Sequence, residues 1–182
     1  MFMKESILKQ PDITRQKILQ AAFAEIYQQG FQAASLGAIL QRAQVTKGAL
    51  YHHFSDKKAL GLAVLEEIIY PRIQQIWITP LQIEQNPTPL SDVIQAIHTA
   101  ITFMTSSNLN LGCPFNNLLQ EMSPIDDVFR LSLNGFFELW QNTLIHALKQ
   151  AQTLGQIRAD INATDTALFI IASTEGCIGI AK

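Results

Sequence analysis

Between residues 46 and 58 the chain carries Thr46, Lys47, Gly48, Tyr51, His52, Lys57 and Lys58, with Asp56 as the only acid among them. This is chemistry for holding an anion. Residues three and four apart share one face of a helix, so if Leu50 and Phe54 point inward, then Lys47, Gly48, Tyr51 and His52 point outward together. A glycine inside a helix costs about 1 kcal/mol relative to alanine. Close approach of a phosphate or a groove wall to the backbone would justify it. With Thr46 and Ser55 read as N-caps, Lys47 falls at N1 of one helix and Lys57 and Lys58 at N2 and N3 of the next. The positive end of the helix macrodipole disfavours cations there by a few tenths of a kcal/mol. A phosphate bound at the free amides reverses that preference, because lysine and helix end then both attract it. The competing reading is three solvated surface lysines.

The elements that position these groups are helical. Ile18, Leu19, Ala22, Phe23, Ile26 and Tyr27 recur as one stripe over residues 14–29, and Gly30 fits as the residue after the helix. Ser35 fits as N-cap of a short helix carrying Leu36, Ile39, Leu40 and Ala43. Thr46 opens another after the tripeptide Ala43-Gln44-Val45. Helix, three-residue turn and helix with apolar residues at the crossing is helix-turn-helix spacing. Further on, the pattern predicts a long helix over 55–77 bent at Pro71, a loop at 86–89, and a helix from Ser91 or Asp92 to about Thr105. A break follows at 106–112. Pro114 and Pro124 fit N1 of two more helices, the second running to about Leu154, and Thr164 or Asp165 opens a last one. No alternating strand pattern or repeat occurs, so the expected fold is all-α.

The 182 residues are 48% hydrophobic and 15% charged with a net charge of -2, a composition that excludes a disordered chain. The first 60 residues hold eight basic and four acidic side chains, the remainder five and 11. A basic head on an acidic body directs only the head toward a polyanion. The N-terminus lacks an apolar signal region, so a cytoplasmic protein is expected. Cys113 and Cys177 form neither a disulfide framework nor a zinc spacing, and no cofactor or metal is expected. His98, His146, Cys113, Glu121, Asp126, Asp127 and Glu138 are joined by no catalytic spacing, which argues against an enzyme.

The runs Thr14-Arg15-Gln16-Lys17-Ile18-Leu19-Gln20-Ala21-Ala22-Phe23, Gly30-Phe31 and Val45-Thr46-Lys47-Gly48-Ala49-Leu50-Tyr51-His52-His53-Phe54-Ser55-Asp56-Lys57-Lys58-Ala59-Leu60 resemble the DNA-binding domain of the TetR family of transcriptional regulators. The likeness covers about residues 12–65. It implies an N-terminal three-helix helix-turn-helix DNA-binding domain, residues 1–60, and a C-terminal helical effector-binding and dimerisation domain, residues 61–182. It further implies a homodimeric repressor on a double-stranded DNA operator, released by a small-molecule effector. Carried over by position, Thr46, Lys47 and Gly48 lie at the major groove, Tyr51 and His52 on phosphates, Lys58 on the backbone, and the amides at Ser35 on a further phosphate. Where the family commonly has glycine in the turn, this chain has Gln44. A positive φ there costs a non-glycine residue about 1 kcal/mol or more.

Residues 93–120 contain no Asp, Glu, Lys or Arg, but polar and helix-breaking residues interrupt the run, so it is not read as a membrane span. Aromatics gather around it. Trp77, His98, Phe103, Phe115, Asn116, Phe129, Phe137 and Trp140 are the expected lining of a mostly apolar pocket of a few hundred Å³ for a hydrophobic or aromatic effector, against a reading of plain core packing. Cys113, before Pro114, has two readings. At a helix N-terminus its thiol would be acidified and could sense electrophiles or oxidants; alternatively it is buried and inert, as Cys177 is expected to be in the core. In the family, the last helix here and one after it form the dimer interface.

Overall fold

The computed structural model describes residues 10–83, 86–107 and 109–182. The chain divides into two compact units, one up to Ile68 and one from Ile69, whereas the sequence reading drew its boundary after residue 60. Described residues form helices and no strands.

The first unit is built on α1 (Gln10–Gln29), α2 (Leu36–Ala43), α3 (Lys47–His53) and α4 (Lys57–Val64). Ile18, Leu19 and Ala22 of α1 are fully buried, meeting Ile39, Leu50, Phe54, Leu60 and Val64 in one core. α1 starts at Gln10, earlier than Thr14, and stops where Gly30 takes φ +82° and its N–H reaches Ile26 O at 2.8 Å. Ser35 and Thr46 cap as expected: their hydroxyl oxygens accept from Ala38 N and Ala49 N at 3.4 and 3.2 Å. α2 ends with Gln44 in the left-handed region, φ 55° and ψ 46°. Gln44 N donates to Gln41 O and Val45 N to Leu40 O, each at 3.2 Å, the paired bonds of a Schellman turn. Gln44 is the only non-glycine at positive φ among the described residues. The turn thus keeps the geometry glycine would give it, at a cost of about 1 kcal/mol.

The cap of α4 is Asp56, not Ser55. Its Oδ1 accepts from Ala59 N at 2.7 Å, and Ser55 only donates to the same carboxylate. An ionised acid at the positive helix end outbids a hydroxyl, and Lys57 and Lys58 move to N1 and N2. The expected single helix over 55–77 is instead segmented. Leu65–Ile69 is π-helical, and Tyr70 separates it from Pro71, whose missing N–H and ring disfavour a regular α-turn back to Glu67.

In the second unit, α5 (Tyr70–Ile73) passes into a π-helical stretch, Gln74–Ile78, and a 3-10 turn, Thr79–Leu81. α6 (Pro89–Ser107), α7 (Pro114–Met122), α8 (Asp127–Thr153) and α9 (Ala163–Ala181) follow. Three starts differ from the sequence reading. α6 begins at Pro89, ahead of Ser91 and Asp92, and runs through Ser107; Asn86 Oδ1 accepts from Thr88 N to form the turn that launches it. Pro124 lies in a turn, and Asp126 caps α8 by accepting from Val128 N and Phe129 N. Asn162 caps α9 ahead of Thr164 and Asp165. In each case a side-chain acceptor upstream satisfies amides that a proline or a later residue leaves orphaned. Pro114 does occupy N1 of α7, after Cys113. Position 108, inside the expected break, lies outside the described residues.

The core of this unit is aromatic. Tyr70 stacks on Phe136 with centroids 4.1 Å apart, its hydroxyl bonds Ser132, and Phe115, Trp140 and Trp77 continue the cluster. α9 is long and apolar enough to cross a membrane by length and composition. Its stripe Ala163, Ala167, Ile171, Thr174 and Ile178 is nevertheless buried within the unit. Cys177 is exposed on α9, contrary to the expected core position: it falls on the flank of the helix, beside that stripe and outside it.

Candidate nucleic-acid interface and C-terminal cavities

α3 is docked by one side. Leu50 is 1% exposed and Phe54, its C-cap, 5%, while Thr46, Lys47, Gly48, Tyr51 and His52 are exposed, Tyr51 at 44%. Lys47 Nζ sits 5.8 Å from the Tyr51 ring centroid, one turn away, so ammonium and phenol are presented together. A Cβ built on Gly48 would meet nothing nearer than Thr46 Oγ1 at 3.9 Å. Among the described residues, then, no neighbour requires glycine at this position. Gly37, at N2 of α2, is alike: its nearest neighbour would be Ser35 Oγ at 3.5 Å. The sequence reading missed Gly37, although a second exposed helical glycine near a cap was visible.

The other cations differ in availability. Lys57 Nζ donates to the Gln32 carbonyl at 3.0 Å and lies over the Phe31 ring, which ties it to the loop after α1. Lys58 stays half-buried at N2 of α4 and favours ionisation of Asp56; the Asp56 carboxyl is held below the usual carboxylate range mainly by the Ala59 amide. Arg15 grips both oxygens of Glu67 and covers the Phe54 ring. That hydrogen-bonded pairing raises the Arg15 pKa and lowers that of Glu67. The basic excess of the N-terminal residues is thus partly spent internally, and Lys47 is its most outward member on α3. At Ser35 the backbone N–H turns inward to Oε1 of buried Glu25 at 3.2 Å. The amides left to meet an anion at that helix start are those of Leu36 and Gly37.

In the second unit the expected pocket residues part into groups. Trp77, Phe103 and Trp140 line a cavity of about 50 Å³ together with Cys113. Phe115, Asn116, Phe137 and Trp140 line another of about 160 Å³. His98 is exposed and Phe129 is fully buried, and neither lines these cavities. Both volumes fall short of the few hundred Å³ expected, because Phe115 and Trp140 fill the space between the helices with rings that are each only 1% exposed.

The sequence reading also missed Glu175, the sole ionisable acid in the second half of α9, which lines both cavities. Its carboxyl is hydrogen-bonded by the side chains of Cys113 and Asn116, and burial raises its pKa. Cys113 answers to this environment. Burial, and next the neighbouring Glu175, push its thiol up rather than down, which removes the acidified thiolate that an electrophile sensor requires.

Known proteins resemble both halves. The pattern of bacterial regulatory proteins of the tetR family matches residues 18–64, and that of the tetracyclin repressor-like C-terminal domain matches residues 89–182. The transcriptional regulator AcuR of Cereibacter sphaeroides is 28% identical over 172 residues, 93% of this chain and 77% of its own length. The HTH-type transcriptional repressor DhaR of Mycobacterium sp. (strain GP1) is 30% identical over 164 residues, 90% and 80% of the two chains. A crystal structure of a regulatory protein TetR from Rhodobacter sphaeroides superposes with a TM-score of 0.82 at 28% identity, over 93% of this chain and 89% of that one.

Proposed function

The chain belongs to the TetR family of transcriptional regulators, and from that premise we propose that it is a homodimeric repressor which reads an operator with α3 and leaves it when a small, largely apolar effector enters the C-terminal unit. Thr46, Lys47 and Gly48 lie in the major groove, Tyr51 and His52 bind phosphates, Lys58 meets the backbone, and the α2 start at Ser35 holds a further phosphate. The observation that carries this reading is the one-sided docking of α3 together with Gly48, whose helix cost nothing inside the protein offsets.

The dimer reading has its own support. On α9, Phe169, Ala172, Gly176 and Ile180 form an exposed stripe opposite the buried one, with Phe169 71% and Ile180 90% exposed. Apolar exposure of this kind, with small residues that permit close helix approach, fits a second copy of the chain. Paired reading heads sit about 34–36 Å apart to enter successive major grooves. Ile69, Arg72, Ile73, Ile76 and Trp77, which line the smaller cavity, follow α4 in the chain through the π-helical segment Leu65–Ile69. An effector that binds the released state more tightly would shift the population away from that spacing. The protein acts in the cytoplasm and catalyses no reaction. Binding to fragments flanking its own gene, measured from 50 to 300 mM salt, tests the reading: each phosphate neutralised contributes about -0.9 to the slope of log K on log salt, and a flat slope rejects it.

A further inference from the structure

Trp140 is 1% exposed, yet its indole Nε1 has no hydrogen-bond partner among the described residues. Oε2 of Glu175 is also buried and has no hydrogen-bond partner among the described residues. Both residues line both of the cavities described above. A buried donor and a buried acceptor left unmade cost about 1–3 kcal/mol each, and native cores rarely keep two such groups beside the same empty space. Around them the wall is hydrocarbon: Phe115, Leu119, Phe137, Leu168 and Ile171.

These two orphaned atoms set the chemistry of an occupant. It must accept from the indole N–H and donate to the carboxyl oxygen. In the larger cavity, whose lining includes Glu175 and no cation, a carboxylate ligand would meet like charge. An ammonium ligand would satisfy Glu175 but has no lone pair for Trp140. A hydroxyl does both with one oxygen. The larger cavity, at about 160 Å³, is close to the roughly 150 Å³ that takes a benzene ring in an apolar protein core. We infer that the Trp140–Glu175 wall is the polar anchor of a site for a small uncharged hydroxyl compound with an apolar body of about six carbons, a phenol or a short alcohol. The raised proton affinity of Glu175 accords with an occupant that carries no charge. Asn116 and Cys113, bonded to the same carboxyl from the first turn of α7, hold it in place. The inference rests on the effector reading of the C-terminal unit and names the class of ligand.

Calorimetric titration of the full chain with phenol, anisole and benzene tests it. Phenol donates and accepts, anisole only accepts, and benzene does neither. The expected order is phenol, anisole, benzene, with about tenfold or more between the first and the last. Trp140→Phe, which removes the N–H and keeps a ring, brings anisole to within about twofold of benzene and leaves phenol only the bond it donates to Glu175. If that variant does not fold, Glu175→Met serves in its place, and the wild-type ligand series stands without either. Equal affinity for phenol and benzene in the wild type, or no binding of any of the three, overturns the inference. Operator binding is measured alongside with and without phenol. A protein that binds DNA but not phenol loses this site and keeps the regulator reading; one that binds phenol but not DNA loses the regulator reading instead. Phenol that binds without weakening the DNA complex overturns its role as effector class.

Discussion

Gly48→Ala separates stability from function at one methyl group. In the free protein the added Cβ lies 3.9 Å from Thr46 Oγ1 and touches nothing else, so the helix propensity of alanine is gained without a clash. That is worth about 0.5–1 kcal/mol, and for a chain of this size it raises Tm by about 1–4 °C. On DNA the sign reverses. If the α3 backbone abuts the groove wall at Gly48, a methyl group there overpacks the contact at about 1–3 kcal/mol, which is about 5- to 150-fold in affinity per reading head. Scanning calorimetry and fluorescence anisotropy on an operator fragment read the two effects from one preparation. A variant that is more stable and binds as tightly as the wild type refutes the close approach. A less stable variant refutes the reading that no internal neighbour requires the glycine.

Tyr51→Ala removes a half-exposed ring and the phenol beside Lys47; operator affinity falls by about tenfold while the melting curve moves little, and unchanged affinity contradicts the phosphate role. Gln44→Gly relieves a left-handed residue at the end of α2 and stabilises the protein by up to about 1 kcal/mol, seen as a higher denaturant midpoint. The pH dependence of Glu175 follows from its raised folded-state pKa. Its proton is held more tightly folded than unfolded, so stability is fully present below the ordinary carboxylate range and is lost as pH rises through the higher folded value. Glu175→Gln therefore melts above the wild type at pH 8, with the gap closing toward pH 4; a gap independent of pH contradicts the buried carboxyl. Glu67 has the opposite sign. Its pKa is lowered by Arg15, so its contribution is present above the ordinary range and fades as pH falls, and Arg15→Gln flattens the acid limb of the melting profile.

The N-terminal unit was largely legible because its signals are local. Ser35 and Thr46 are hydroxyl caps with free amides two and three residues on, and Leu50 and Phe54 set the inward side of α3. Two starts were misplaced where an acid lies close to the residue that the spacing favours. Asp56 beside Ser55 and Asp126 beside Pro124 were decided by a charged acceptor, a comparison that spacing alone does not make. The ligand site was less legible. Aromatic residues marked its neighbourhood, but which rings face space and which fill it depends on helix packing: Phe129 is core while Phe137 borders a cavity. Glu175 comes beside Cys113 only through contact between α9 and α7, some 60 residues apart, and that contact reversed the expected acidity of the thiol.

The central claim is that Lys47 and its neighbours on α3 face a duplex. Lysine acetylation of the free and operator-bound protein, read by mass spectrometry, tests it on the side chain itself. Lys47, exposed beside Tyr51, is predicted to become protected by about tenfold or more in the complex, while exposed Lys149 on α8 reacts equally in both. Lys47 labelled as fast on the operator as off it would contradict the account.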